Sequence, residues 1–385
     1  MKPPRKPATI VAAARTGADP AYGGIVAPLW STDTFRWADS ETRPAYDYSR
    51  TVNPNRDLLV EALAELEGAS GGAVTGSGQS AALLALLLLP GGALVVAPHD
   101  CYGGTYRLLQ GLQEQGKLRA RFVDQRDDEA FTAALSEGPQ LVWIETPSNP
   151  LLRLTDIAAR AAEARAAGAL VLADNTLATP CRQRPLALGC DLVLHSTTKA
   201  LNGHSDLFGG ALLAADPALA ERIAWWANAA GLNGSAHDSA QILRGLRTLT
   251  LRLDRQERSA RKIADWLSGR AGVKALYYPG LASHADHELA RRQQGGAGFM
   301  IGFEVEGGAR SAADFLAALE LITLASSLGG FASLICKPAT MTHRGMPPEA
   351  QAKAGIAPDL LRLSVGLEEA DDLIADLGRG FAALR

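Results

Sequence analysis

Two stretches decide the fold: Ala169-Leu170-Val171-Leu172-Ala173-Asp174-Asn175 and Asp191-Leu192-Val193-Leu194-His195-Ser196-Thr197-Thr198-Lys199. Each holds an unbroken apolar run of strand length that closes on polar residues. A strand apolar on both faces is buried on both, which marks a parallel sheet covered by helices. The same texture recurs at Ala93–Ala97, Leu141–Glu145 and Phe208–Ala214, and Ala-rich helical stretches such as Asp156–Ala167 separate several of these runs. The alternation predicts an α/β fold with a mostly parallel sheet. Ligands of such sheets bind beyond the carboxyl ends of the strands, so the residues just past each run are the candidates for chemistry.

Outward from this centre the texture changes twice. Residues 1–55 show little apolar period and carry Pro3, Pro4, Pro7, Pro20, Pro28, Pro44 and Pro54. A proline-studded segment of this kind builds no core of its own and is expected to lie on something else, such as a second subunit. From about Ser239, apolar residues Ile242, Leu243, Leu246, Leu249, Leu253, Ala260, Ile263 and Trp266 recur at helical steps, predicting one long helix ending near Gly269. Period-2 strands follow at Met300–Glu306 and Leu361–Glu368, with helices expected at Ala309–Ile322 and Ala370–Leu384. This predicts a second, smaller α+β domain.

The chain has 385 residues, 47% hydrophobic and 21% charged. That suits two or three globular domains and excludes disorder, collagen and coiled coil. A net charge of −3 gives no global reason to expect nucleic acid or an anionic membrane. The longest apolar stretch, Ala81–Leu89, has nine residues, short of the ~20 that a spanning helix needs. The basic start runs into a weakly apolar Ala8–Ala14 and then Arg15, with no signal-peptide core, so a cytoplasmic protein is expected. Cys101, Cys181, Cys190 and Cys336 show no CxxC spacing, the histidines show no HxxxH or HxH, and no metal site is expected.

Several strand-end residues could carry chemistry. Lys199 is, by residue type alone, a solvated surface lysine. Here it follows a strand end among small hydroxyl residues, with Gly203, Gly209 and Gly210 close behind. A lysine in a closed site can lose its proton and attack an aldehyde to form a Schiff base. Asp174 could be a turn former, a metal ligand, a ribose binder or the partner of a buried cation; a pyridinium nitrogen would suit it, because an ionised carboxylate keeps that nitrogen protonated. Gly76-Ser77-Gly78-Gln79 leads into an apolar helix and could offer backbone N–H groups to an anion. It is neither GxGxxG nor a P-loop, which counts against dinucleotide chemistry. Tyr102, next to Gly103 and Gly104, either packs on a loop or lays its ring over a planar ligand. Arg362 lies on the polar side of an apolar strand, and either faces solvent or binds a carboxylate through a bidentate fork.

Together with further strings, these residues resemble the pyridoxal-phosphate enzymes of cysteine and methionine metabolism. The resemblance runs from about Gly24 to Leu384. It rests on Tyr46-Asp47-Tyr48-Ser49-Arg50, Cys101-Tyr102-Gly103-Gly104-Thr105, Glu145-Thr146-Pro147-Ser148-Asn149-Pro150, Asp174-Asn175-Thr176, Ser196-Thr197-Thr198-Lys199, Ser327-Leu328-Gly329-Gly330, Met341-Thr342-His343 and Leu363-Ser364-Val365-Gly366-Leu367-Glu368. Trp225-Trp226-Ala227-Asn228 is similar to strings of the family's bacterial γ-synthases.

The resemblance implies an aspartate-aminotransferase-like (fold type I) α/β domain at 56–240, a smaller C-terminal α+β domain at 241–385, and an extended N-terminal arm at 1–55 reaching a neighbouring subunit. It implies pyridoxal 5′-phosphate as cofactor, Lys199 as the Schiff-base lysine, Asp174 as the partner of the ring nitrogen and Tyr102 as the residue stacked on the ring. Gly78, Gln79, Thr176, Ser196 and Thr198 would belong to the cofactor site, and Tyr48 and Arg50 would reach the phosphate of the neighbouring subunit. Arg362, Ser327, Asn149 and Arg107, with Tyr102, would contact an amino-acid substrate.

The implied reaction is γ-replacement, O-succinyl- or O-acetyl-L-homoserine plus L-cysteine to cystathionine, in transsulfuration and methionine biosynthesis by a homotetramer built from dimers. Elimination by a cystathionine γ- or β-lyase is the alternative, and a non-catalytic binding protein of the same fold a remote one. Three positions depart from the γ-synthase pattern: Ser326 and Ala332 stand where glutamates are usual, and Thr51 where the bacterial synthases carry arginine.

Overall fold

The computed structural model describes residues 5–384. Met1 to Pro4, at the start of the proline-rich arm, and Arg385 lie outside the described residues. The chain divides into two compact units, the first formed by Met1–Pro90 with Leu172–Thr250 and the second by Gly91–Val171 with Leu251–Arg385.

In the first unit the strands Gly71–Thr75, Gly210–Ala214, Leu192–His195 and Leu170–Asp174, the last belonging to this unit from Leu172 on, lie side by side in that order. The last two are parallel, with Asp174 opposite Leu194, while Gly210–Ala214 runs antiparallel to both of its neighbours. Gly71–Thr75 therefore points the same way as Leu192–His195, and Thr75, His195 and Asp174 end at one edge. Val193, Leu212, Leu213 and Ala214 are fully buried, as unbroken apolar runs require.

Local chemistry sets the helix ends. Asn53 caps Pro54–Glu67 by accepting from the Asn55 amide, Pro54 occupies the first turn, and Gly68 closes the helix in the left-handed region at φ 75°. Asp216 caps Pro217–Ala229 with a proline at the same place. Within the arm, helix Pro7–Ala12 packs against Pro54–Glu67 and buries Ile10 and Val11, whereas Tyr22, Ile25 and Val26 are 95%, 70% and 63% exposed.

The second unit holds Leu118–Val123, Ala93–Pro98 and Leu141–Glu145 side by side, all parallel. It also holds a five-stranded sheet ordered Thr323–Leu324, Leu334–Cys336, Leu360–Ser364, Met300–Val305 and Val273–Tyr277. Leu361 and Leu363 alternate with Arg362 along the central strand and enter a core with Ile301, Phe303, Phe315 and Phe381. Phe315 and Phe381 meet edge-on at 5.0 Å, a favoured aromatic geometry.

Three expectations need correction. The long helix from about Ser239 is two, Ala236–Leu246 and Leu249–Leu267, broken at Thr248, whose hydroxyl and amide both donate to the Gly245 carbonyl. The second period-2 strand stops at Ser364, because past it the Leu367 amide pairs with the Phe331 carbonyl instead of a neighbouring strand. Leu118–Val123 was not expected as a strand. Its burial alternates because Arg119 and Arg121 interrupt the apolar pattern, as suits the last strand of a row.

Candidate active site

In the first unit the three aligned carboxyl ends bring most of the expected cofactor residues together. Ser77 caps the helix Gly78–Leu87 by accepting from the Ser80 amide at 3.1 Å, so Gly78 and Gln79 open a first turn with unpaired backbone N–H groups. Gly78 is pressed against the next strand end, and a Cβ there would lie 2.7 Å from the Cβ of Ser196. Asp174 accepts from the Thr176 amide at 3.0 Å, and the Thr176 hydroxyl in turn accepts from the Ser196 amide at 2.8 Å. These hydrogen bonds join the ends of Leu170–Asp174 and Leu192–His195.

Burial pushes the Asp174 carboxyl above its ordinary value; the Thr176 hydrogen bonds and the His195 charge pull it back only in part. Such a carboxylate gains from a cationic partner. Behind this edge, Glu67 and His195 have no side-chain exposure and meet at 2.7 Å, with Asn175 donating to the same Glu67 oxygen at 2.9 Å. Lys199 begins where the chain turns back, its amide donating to the Ser196 carbonyl. The Thr198 hydroxyl is already engaged, donating to the Gly209 carbonyl at 3.1 Å and accepting from the Gly209 amide at 3.0 Å. Tyr48 and Arg50 are exposed residues of the arm, with the Arg50 guanidinium carbon 5.5 Å from the Tyr48 ring centre.

In the second unit a different set converges on Arg362. The guanidinium is 3% exposed, so the solvent-facing alternative falls. Nη1 donates to Asn149 Oδ1 at 3.0 Å, Nη2 donates to the Ser327 carbonyl at 2.8 Å, and Nε has no partner among the described residues. Burial lowers its pKa, while Cys336 and Tyr102 raise it. Ser327 adopts φ 94°, a conformation uncommon for serine, and so turns its carbonyl onto the guanidinium.

Tyr102 precedes helix Gly103–Glu114 and is 39% exposed; its amide is held by Glu145 at 2.8 Å. The Arg107 side chain runs along Gly345, where a Cβ would meet its Cδ and Nη1 at 2.9 Å. His343 is fully buried beside these arginines. Burial first, then the Arg362 and Arg107 charges, push it down to about 4, so it is neutral at pH 7.

Glu145, His343 and the Glu67–His195 pair had no expected role. Glu145 and His343 stand in strings already singled out, but neither residue type nor spacing says which side chain faces Tyr102 or Arg362. Glu67 is distant in sequence from its partner, and nothing in the sequence announces that contact.

A family profile described as Cys/Met metabolism PLP-dependent enzyme matches residues 8–382. Over 380 residues the chain is 50% identical to a cystathionine γ-synthase of Escherichia coli (strain K12), covering 98% of each. It is 40% identical over 361 residues to a cystathionine γ-lyase of Bacillus subtilis (strain 168), covering 94% of this chain and 95% of that one. The solved structure of cystathionine γ-synthase from Xanthomonas oryzae pv. oryzae in complex with cystathionine superimposes with a TM-score of 0.98 at 48% identity over 99% of both chains. A profile match across 8–382, full-length relatives and a shared fold make this chain a member of the Cys/Met metabolism PLP-dependent enzymes.

Proposed function

We propose that this enzyme catalyses γ-replacement, joining O-succinyl- or O-acetyl-L-homoserine to L-cysteine to give cystathionine in transsulfuration and methionine biosynthesis. The observation that carries the reading is the 50% full-length identity to a γ-synthase, against 40% to the γ-lyase.

The residues of the first unit fit pyridoxal 5′-phosphate. A helix N-terminus with unpaired amides stands beside Ser196, the glycine at its start leaves the cradle open, and the half-buried Asp174 has its carboxyl held above its ordinary value by desolvation. Gly78, Gln79, Ser196 and Thr198 would hold the cofactor at its phosphate end, and Thr176, bonded to Asp174, would belong to the same cofactor site. For Thr198 the backbone is the better candidate contact, since its hydroxyl already serves Gly209. Bound at this site, the cofactor supplies the electron sink that carbanion chemistry at an amino acid requires.

Asp174 would keep the ring nitrogen protonated, and its partial shielding from water strengthens that charge pairing. Tyr102 would stack on the ring, its position set by the Glu145 bond to its amide. Lys199 would hold the cofactor covalently, take protons from the substrate α- and β-carbons so that the γ-substituent can leave with its electron pair, and return protons to those carbons after cysteine has added at the γ-carbon. Arg362 would bind the α-carboxylate with Asn149 and Ser327 beside it, and Arg107 would also contact substrate. Tyr48 and Arg50 would reach the phosphate of a neighbouring subunit. The exposed Tyr22, Ile25 and Val26 of the arm 1–55 support such a contact, within a homotetramer built from dimers. Its place of action is read as cytoplasmic, and no helix among the described residues is long and apolar enough to cross a membrane.

Carbon–sulfur elimination from cystathionine is the second reading. It is favoured by Ser326 and Thr51, which depart from the γ-synthase pattern, and by the γ-lyase and β-lyases among the relatives. Purified enzyme offered O-succinylhomoserine with cysteine, and cystathionine alone, is assayed for cystathionine, 2-oxobutyrate and pyruvate. Cystathionine as the main product supports γ-replacement. Pyruvate alone rejects it.

A further inference from the structure

Helix Pro217–Ala229 carries Trp225-Trp226-Ala227-Asn228 in its last turns, a string to which nothing above gives a task. Asn228 holds Arg50. Its side-chain Oδ1 lies 2.7 Å from Arg50 Nη1, and its backbone carbonyl lies 3.3 Å from the same nitrogen. The other end of the arginine is fixed as well. The Arg50 carbonyl accepts from Asn233 Nδ2 at 2.7 Å and from Arg56 Nη2 at 3.3 Å, and the buried Arg56 is itself anchored on the Gly234 carbonyl. The Tyr48 ring lies against the guanidinium.

An exposed arginine is ordinarily free to sample many rotamers, and ordering it on binding consumes affinity. Here that freedom is already removed. Two features say what the ordered cation is for. First, the last turn of a helix presents carbonyls with partial negative charge, which seat a cation without neutralising it. Second, the side chain doing the holding is a neutral amide and not a carboxylate, so the full positive charge is kept for another anion. Only Nη1 is engaged; among the described residues no hydrogen bond engages Nε or Nη2, and that edge can grip two oxygens of a phosphate at once.

We propose that Asn228 is a positioning residue that presents the guanidinium of Arg50 to the phosphate monoester of the cofactor. This rests on the reading that Arg50 contacts that phosphate, and the test separates the two. Apo-enzyme and the variants Arg50→Ala, Asn228→Ala and the double variant are titrated with pyridoxal 5′-phosphate and with pyridoxal, which lacks the phosphate. Binding is followed by visible absorbance.

Arg50→Ala is expected to weaken pyridoxal phosphate by about tenfold or more, the loss of a charge-assisted pair, and to leave pyridoxal unchanged. Asn228→Ala should weaken pyridoxal phosphate by roughly fivefold, the ordering of one long side chain, again without effect on pyridoxal. The double variant should be no weaker than Arg50→Ala alone. An Arg50→Ala enzyme with parental affinity removes the underlying reading. A normal Arg50 effect with a silent Asn228→Ala overturns the inference alone, as does equal loss of both vitamers or additive loss in the double variant.

Discussion

An alanine at position 78 would place its Cβ 2.7 Å from the Cβ of Ser196, 3.0 Å from its Oγ and 3.1 Å from its Cα. Carbon atoms settle ~3.5–4.0 Å apart, so the start of the helix or the serine must retreat by close to an ångström. Position 78 opens the helix Gly78–Leu87, where alanine suits the backbone, and the effect is therefore steric. Overpacking of this kind costs about 1–3 kcal/mol. The apo chain can relieve it by letting the helix start and Ser196 part, but the proposed phosphate site needs both, so the strain returns on binding. Gly78→Ala should bind pyridoxal phosphate about five- to hundredfold more weakly, read from a visible-absorbance titration of apo-enzyme. Gly76→Ala, in the same loop, meets nothing within 4 Å and should leave the apo melting temperature at the parental value. A Gly78→Ala enzyme that melts like the parent and binds the cofactor within about twofold refutes the cradle assigned to these residues.

Two further outcomes are expected. Arg362→Lys removes a buried fork that serves Asn149 and the Ser327 carbonyl together, and a lysine can supply only a point charge. The KM for the amino-acid substrate should rise about tenfold or more with the cofactor's visible band unchanged; an unchanged KM would remove Arg362 from substrate binding. His343 is pushed from 6.5 down to about 4 in the folded state, so the unfolded chain takes up its proton first as pH falls. Its contribution to stability is complete above pH ~6.5 and lost progressively towards pH ~4, up to ~3 kcal/mol in all. Denaturant unfolding near pH 7.5 and pH 4.5 should show a smaller acid loss in His343→Gln than in the parent, and equal losses would show that the histidine is not held neutral by its surroundings.

Much of the α/β framework was legible because burial on both faces of a strand leaves an unbroken apolar run. Leu141–Glu145 is found as expected, and Ala93–Pro98 and Leu192–His195 differ by a residue at an end. Asp174 and Lys199 stand out as candidates for the same reason, since strand ends are where a chain must turn polar, whereas Ser196 and Asn149 entered only through the family resemblance. Leu118–Val123 escaped because arginines break its pattern, and the split at Thr248 escaped because apolar spacing carries across a break made by one hydroxyl.

What the residue order determined by itself is the set of local choices: which runs are strands, which asparagines, serines and prolines start helices, and which reactive side chains follow a strand end. Those choices depend on neighbours a few positions away, so they survive in a linear text. The tertiary structure alone decided that Arg362 is buried against Asn149 and Ser327, that Glu67 backs His195, and that Asn228 grips Arg50. Each of these joins residues far apart in the chain, and the strength of a charge or hydrogen bond depends on what water has been excluded from it, which only the folded packing sets.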